Sequence, residues 1–336
     1  MKKFNFLFSY AYLWDEDVKR SKKTGEDKTY QCRQKQLEDT ALELSSYSDV
    51  LIDCGAYTAY TRGKEIPIDR YIADCKRYHG KVWQYIQLDK VRNPSVTKTN
   101  LDKMLHAGLR PMPVLQIGES FERMPALVKI NPWVCCAGGV YTPAQWIHHR
   151  YQQAFKASHG KANIHALGFL RYPDVFQLPI KSGDSSAYYN GMKYGWLVMF
   201  DRREGMIQIH NTNIKKKGSR GIDPRFIVYM EQCGLKPEDV VSGTYNHGQR
   251  SFMTLACVHA YLRFASFCAE KDFKFFFVII DFMNLMGIMC VNAFNKGNYF
   301  DYKQAAAMYD YLQDIRVNNK PKWYDTMNKV IAGGLK

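Results

Sequence analysis

Between residues 4 and 184 the chain alternates short apolar runs with longer stretches in which apolar residues recur every three or four positions. The runs are FNFLFSY (4–10), VLID (50–53), VWQYIQLD (82–89), MPVLQI (112–117), WVCCAGG (133–139), IHALGF (164–169) and QLPIKSGD (177–184). Short apolar runs bounded by turn residues predict buried strands, and the stretches between predict helices around 31–46, 68–79, 96–107, 120–128, 142–156 and 171–177. A repeated strand–helix unit requires a parallel sheet. Seven strands in series, with an eighth at WLVMF (196–200), predict an α/β fold of the closed (β/α)8, TIM-like barrel type over residues 1–200. A doubly wound dinucleotide sheet would need a glycine-rich turn after its first strand, and SYAYLWDEDV has none.

After residue 200 the pattern changes. DRREGMIQIHNTNIKKKGSRGIDPRF sets Arg202, Arg203, Lys215, Lys216, Lys217 and Arg220 among Gly and Asn, and two helical patterns follow, RSFMTLACVHAYLRFASFCAEKDF and YKQAAAMYDYLQDIR. Residues 201–336 are therefore expected to form a basic α+β elaboration packed on the barrel.

Charge sharpens this picture. Lys plus Arg number 47 against 32 for Asp plus Glu, a net +15, which suits a polyanionic partner. The nine cysteines are odd in number and lack framework spacing, which predicts reduced thiols in a cytoplasmic protein. FKFFFVIIDFMNLMGIMC (273–290) is interrupted by Lys274, Asp281 and Asn284, too soon for a bilayer span, so no membrane partner is expected.

In a barrel of this kind active groups sit where strands end. The apolar runs end on Asp53, Asp89, Gln116, Gly138 with Gly139, Gly168 and Asp184. A single aspartate at such a position commonly caps the next helix. Two glycine-flanked ones, Asp53 and Asp184, instead fit acid/base work paired with nucleophilic attack at a sugar carbon.

The motifs on these strand ends resemble those of one family. LIDCGAYTAY is similar to the V-D-S-G-G-F-Q strand end of the tRNA-guanine transglycosylases, and closer to the D-S-G-A-[FY]-[ST] form of their phage and bacterial DNA-acting relatives. PVLQIGE, CCAGGVY and IHALGFLRYPDVFQLPIKSGDSSAY resemble later family segments in the same order. The resemblance covers roughly residues 1–200. It implies exchange of guanine in DNA, or alternatively in tRNA, for a free 7-deazaguanine base such as preQ0. Carried over by position, Asp184 is the nucleophile that forms a covalent glycosyl-enzyme, and Asp53 is the general acid/base. Asp89 accepts from the base N1–H and exocyclic amine, Gln116 and the Gly138–Gly139 backbone read the O6 side, and Tyr57 or Tyr188 offers an aromatic wall. Either tyrosine equally suits ordinary core packing. A stacked guanosine must be flipped out, or already single-stranded, to be reached.

The sequence also departs from the family. The structural zinc motif C-x-C-x-x-C with a later His is absent, so no cofactor is expected, and the tRNA-docking subdomain it organises is in doubt. Cys54 replaces the usual serine. The basic residues Arg202, Arg203, Lys215, Lys216, Lys217 and Arg220 are expected to hold phosphates in place of the family's arginine-rich loop. The rival readings are plain glycosylase or nucleoside deoxyribosyltransferase chemistry on the same carboxylates, and a non-catalytic nucleic-acid-binding subunit.

Overall fold

Eight parallel strands make one curled sheet, with helices flanking it. The computed structural model describes residues 4–14, 18–20, 27–29, 31–137, 143–168, 172–189, 196–210, 223–232, 247–296, 299–319, 322–323, 325–327 and 329. In chain order the strands are β1 (Asn5–Ser9), β2 (Val50–Asp53), β3 (Gln84–Tyr85), β4 (Val114–Leu115), β5 (Trp133–Ala137), β6 (Asn163–Leu167), β7 (Ser182–Ser185) and β8 (Lys274–Ile279). Their hydrogen-bonded order is β3-β2-β1-β8-β7-β6-β5-β4. Consecutive strands lie side by side except β3 and β4, which stand at the two ends of this order, and β8 closes the gap between β7 and β1. The terminal strands β3 and β4 are linked by one isolated parallel bridge, Ile86 to Met112.

Each connection carries helix, as parallel pairing demands. The helices are α1 (Tyr10–Trp14) and α2 (Gln31–Leu44) after β1, α3 (Ala56–Thr61) and α4 (Ile68–Tyr78) after β2, and α5 (Pro94–His106) after β3. α6 (Met124–Ile130), α7 (Ala144–Ala157) and α8 (Asp174–Gln177) follow β4, β5 and β6. α5 starts where Pro94 fixes the first helical φ and the Asn93 side chain accepts from the Val96 N–H, satisfying an otherwise orphan donor.

One face of the sheet buries Leu7, Leu51, Ile86, Met112, Val114, Cys135 and Phe276 against each other. Trp83 stacks on Phe276 with centroids 5.3 Å apart and meets Trp133 edge-on. Side chains two apart on a strand share a face. Ser9 therefore shares the face of Leu7, Asp53 that of Leu51, and Gln116 that of Val114. The strand period carries the polar groups to the C-terminal end of this buried cluster.

The eighth strand differs from expectation. WLVMF lies in the strand Trp196–Asp201, which pairs antiparallel with Gly205–His210 across a tight turn. Asp201 accepts from the backbone N–H groups of Arg203 and Glu204, closing that turn locally. The eighth sheet strand is instead β8, KFFFVI, paired with both β1 and β7.

The chain accordingly forms two compact units. One comprises Lys3–Ser185 and Lys271–Asp281, and the other Ser186–Glu270 and Phe282–Lys336 with Met1–Lys2. The boundary falls at 185/186 rather than at 200, and the second segment of the first unit comes from the part of the sequence expected to lie outside the barrel. In the second unit the hairpin accompanies α9 (Pro224–Gln232), α10 (His247–Glu270), α11 (Phe282–Ala293) and α12 (Tyr302–Asn318). α10 buries Leu255, Val258, Leu262 and Phe264, the last 5.4 Å from the Phe200 ring. No described helix is long and apolar enough to cross a membrane.

Candidate active site

β2 delivers its carboxylate through a turn that only glycine permits. Gly55 has φ 79°, and a Cβ there would lie 2.5 Å from the Ala11 backbone nitrogen. The β2 turn thus packs directly on the chain leaving β1. The Gly55 N–H donates to Asp53 Oδ2 at 3.0 Å. Loss of water, followed by the charges of Asp89 and Asp184, pushes the Asp53 carboxyl up to about 7; the Gly55 N–H and the Ser9 hydroxyl oppose the rise only in part.

Asp89 follows β3 and is held on both oxygens. The Cys54 thiol donates to Oδ1 at 3.1 Å, and Gln116 Nε2 donates to Oδ2 at 3.0 Å. Burial raises the Asp89 pKa, and these two donors counter it. Burial, then the Asp89 and Asp53 charges, keep the Cys54 thiol well above its usual range. Cys54 therefore serves as a protonated donor rather than a nucleophile.

Gln116 is fixed by its surroundings. Its Nε2 also donates to the Lys90 carbonyl at 2.7 Å, and its backbone N–H donates to Glu119 Oε2 at 2.7 Å. The Arg150 guanidinium, from α7, donates to the carbonyls of Gln116 (2.5 Å), Leu115 (2.7 Å) and Ala137 (3.1 Å), tying the ends of β4 and β5 together. Gln116 Oε1 is buried with no hydrogen-bond partner among the described residues. The unsatisfied atom of this side chain is thus an acceptor, as the amide is oriented, and it suits an N–H edge rather than the O6 expected from the family pattern.

Asp184, on β7, is 9% exposed. The Gly168 N–H donates to its Oδ1 at 3.0 Å, and His165 Nε2 lies 3.3 Å from the same oxygen. His165 is fully buried, with Nδ1 2.8 Å from Ser182 Oγ and its ring edge-on to Phe276. A Ser182 hydroxyl donating to Nδ1 leaves the imidazole proton on Nε2, facing Asp184.

Asp53, Asp89, Gln116 and Asp184 are thus gathered at the C-terminal ends of their strands. Tyr57 stands on α3 four residues after Asp53, and is 56% exposed. Tyr188 belongs to the second unit, where it is fully buried and meets Tyr261 edge-on at 6.3 Å; its surroundings are those of core packing. Arg202 and Arg203 form the turn of the antiparallel hairpin, and Arg202 pairs with Glu270 at 2.8 Å. Gly138, Gly139, Lys215, Lys216, Lys217 and Arg220 lie outside the described residues.

The sequence reading missed His165, Ser182, Glu119 and Arg150. The polar His165 inside an otherwise apolar run was the available signal for the first. The structural zinc of the resembling family finds no fit among the described residues. None of them cluster as a metal-binding group, the Cys257 thiol donates to the Trp196 carbonyl, and buried His259 Nδ1 faces the Tyr229 hydroxyl at 2.8 Å. No protein-family model matches the chain, and no curated protein sequence matches it significantly.

Proposed function

We propose that this chain is a DNA-guanine transglycosylase that exchanges guanine for a 7-deazaguanine base. The observation that carries the reading is the contrast between two neighbouring carboxylates. Asp53 is pushed to about 7, where it can give and take a proton, while Asp184 is anchored through one oxygen by the Gly168 N–H. In the first half-reaction Asp184 Oδ2 attacks C1′, the C1′–N9 bond breaks, and protonated Asp53 gives its proton to the departing guanine. In the second, ionised Asp53 takes the N9 proton of the incoming base, whose nitrogen attacks C1′ and displaces Asp184. No bond is hydrolysed and Asp53 returns to its starting state.

Asp89 supplies a fixed acceptor for the base N1–H and amine, and Gln116 Oε1 a second one on that edge. The resemblance leaves the O6 side to the backbone of Gly138 and Gly139. The Ile86 to Met112 bridge, which joins the two ends of the strand order, supports closure of the sheet as a (β/α)8 barrel. A net charge of +15 favours a polynucleotide substrate, and the C-x-C-x-x-C motif of the tRNA-acting enzymes does not occur in the sequence, which supports DNA over tRNA. The buried cysteines among the described residues form no disulfide, which fits a reducing cytoplasm.

The test is incubation with labelled guanine and, separately, single-stranded DNA, duplex DNA and unmodified tRNA. Label in washed DNA supports the reading. Label in tRNA alone overturns the substrate, and label in neither overturns base exchange.

A further inference from the structure

Resting on that reading, we propose that Arg150 is the positioning residue for base recognition, bracing with one guanidinium the two strand ends that read the base. The β4–β5 ladder ends at the pair Leu115 and Cys136; the pair that would follow, Gln116 with Ala137, is not formed. Arg150, reaching in from α7, takes over at that point. Its Nη2 donates to the carbonyls of Leu115 and Gln116 and its Nε to that of Ala137, so the side chain bridges the two strands one residue past the end of their pairing. Gln116 in turn holds Asp89 through Nε2, and a displaced Gln116 would carry that bond with it. Ala137 leads in sequence directly into Gly138 and Gly139. One cation thus stands behind all three groups assigned to the base edge.

The partners of Arg150 argue for positioning over stability. Among the described residues it makes no ion pair; it donates to neutral carbonyls, with its guanidinium carbon 5.6 Å from the Phe121 ring centroid. Burial holds its pKa below the usual arginine value. A cation taken out of water without a counter-ion is an expensive way to stabilise a fold, and an apolar side chain of similar length would avoid that penalty. What an apolar side chain lacks is a planar fork able to fix three acceptors at once. The other backbone bonds of Gln116 are local: its N–H donates to Glu119 Oε2, and its carbonyl accepts from the Glu119 N–H at 3.2 Å. Those bonds shape the turn after β4, and the Nε2 bond ties it to Asp89 after β3. The tie to β5 at this level is Arg150.

The experiment follows labelled guanine in two ways: equilibrium dialysis against the protein, and exchange into saturating single-stranded DNA over a guanine concentration series. Arg150→Met keeps a long apolar side chain beside Phe121 and removes all three donors. It should raise the dialysis Kd and the guanine KM together, about 10- to 100-fold, with kcat within about threefold of wild type. Arg150→Lys keeps the charge without the fork and should recover part of the loss. The comparison variant Asp301→Ala removes the side chain that accepts from the Gln304 N–H at the start of α12, in the other unit; it should lower Tm and leave KM unchanged. An unchanged KM in Arg150→Met, a fall in kcat alone, or an equal rise of KM in Asp301→Ala would overturn the proposal. Should Arg150→Met fail to fold, Arg150→Lys decides, and a wild-type KM there would overturn it. Guanine binding that depends on Arg150 without exchange into DNA would uphold the positioning role and sink the transglycosylase reading; exchange with a KM independent of Arg150 would do the reverse. Neither binding nor exchange by wild type would overturn both.

Discussion

The two units treat ionisable groups in opposite ways. In the sheet unit Asp53, Asp89 and Asp184 converge with little water, each steadied by donors from its own or neighbouring strand ends. In the other unit the described ion pairs, Arg202 with Glu270, Arg225 with Glu204 and Asp223, and Lys329 with Asp325, lie on exposed side chains. That unit's buried polar pair, Tyr229 and His259, is neutral, with burial and the Arg263 charge holding His259 down to about 3. Keeping like charges together out of water is costly. Among the described residues only the first unit does so, which is the reason the proposed chemistry is assigned to it.

The largest effect should follow from Asp184→Asn. An amide cannot form the glycosyl ester, so exchange should fall by roughly 10⁴-fold or more while polynucleotide binding persists. Denaturing electrophoresis of enzyme with labelled DNA should show a covalent adduct for wild type and none for the variant. A surviving adduct would remove Asp184 from its role.

Asp53→Asn should slow exchange about 10²- to 10⁴-fold. It also has a signature in stability. The folded-state pKa of about 7 lies above the 3.8 of an ordinary aspartate. The folded protein therefore binds the extra proton, and the associated stability is fully present below about pH 4 and lost as pH rises through 7. Wild-type Tm should decline across that window by more than Tm of the Asn variant, whose curve loses this contribution. Parallel curves would mean Asp53 is not raised, and the contrast between the units would lose its clearest member.

The comparison also explains what the sequence could say. Most of the first seven strands were legible because buried parallel strands read as apolar runs, whereas β7 is the polar segment SGDS and was marked only by the end of the run QLPIKSGD. The eighth was not, since WLVMF and KFFFVI are equally apolar; the first finds a local hairpin partner in GMIQIH, and the second returns to the sheet only after the intervening unit. Asp53 and Asp184 were legible as strand ends. Tyr188 belongs to the other unit, which begins at Ser186, two residues after Asp184, a division that the run SGDSSAYY does not reveal. The His165–Ser182 pair depends on strand register, which places the two residues opposite each other on β6 and β7 and which neither run reveals alone.

That pair yields the third prediction. His165→Phe keeps an aromatic ring against Phe276 but removes the Nε2 proton near Asp184 and the acceptor for Ser182. Nε2 approaches Asp184 Oδ1 at 3.3 Å without a hydrogen bond, so exchange should fall only severalfold, up to about tenfold. His165→Gln should recover part of it. Equal adduct formation by His165→Phe and wild type would make His165 a packing residue.

The smallest effect should come from the other side of the comparison. Arg202→Ala removes an exposed pair with Glu270 and a guanidinium 5.5 Å from the Phe267 centroid. Solvent screens the first, and an exposed cation–π contact contributes about 0.5–1 kcal/mol, so the loss should be near 1 kcal/mol or less, a Tm change of about 2 °C. The electrostatic part should shrink in 1 M salt, where the Debye length is about 3 Å. A larger, salt-insensitive loss would mean that the second unit also relies on desolvated charge, and burial of charge would then no longer distinguish the unit that carries the chemistry.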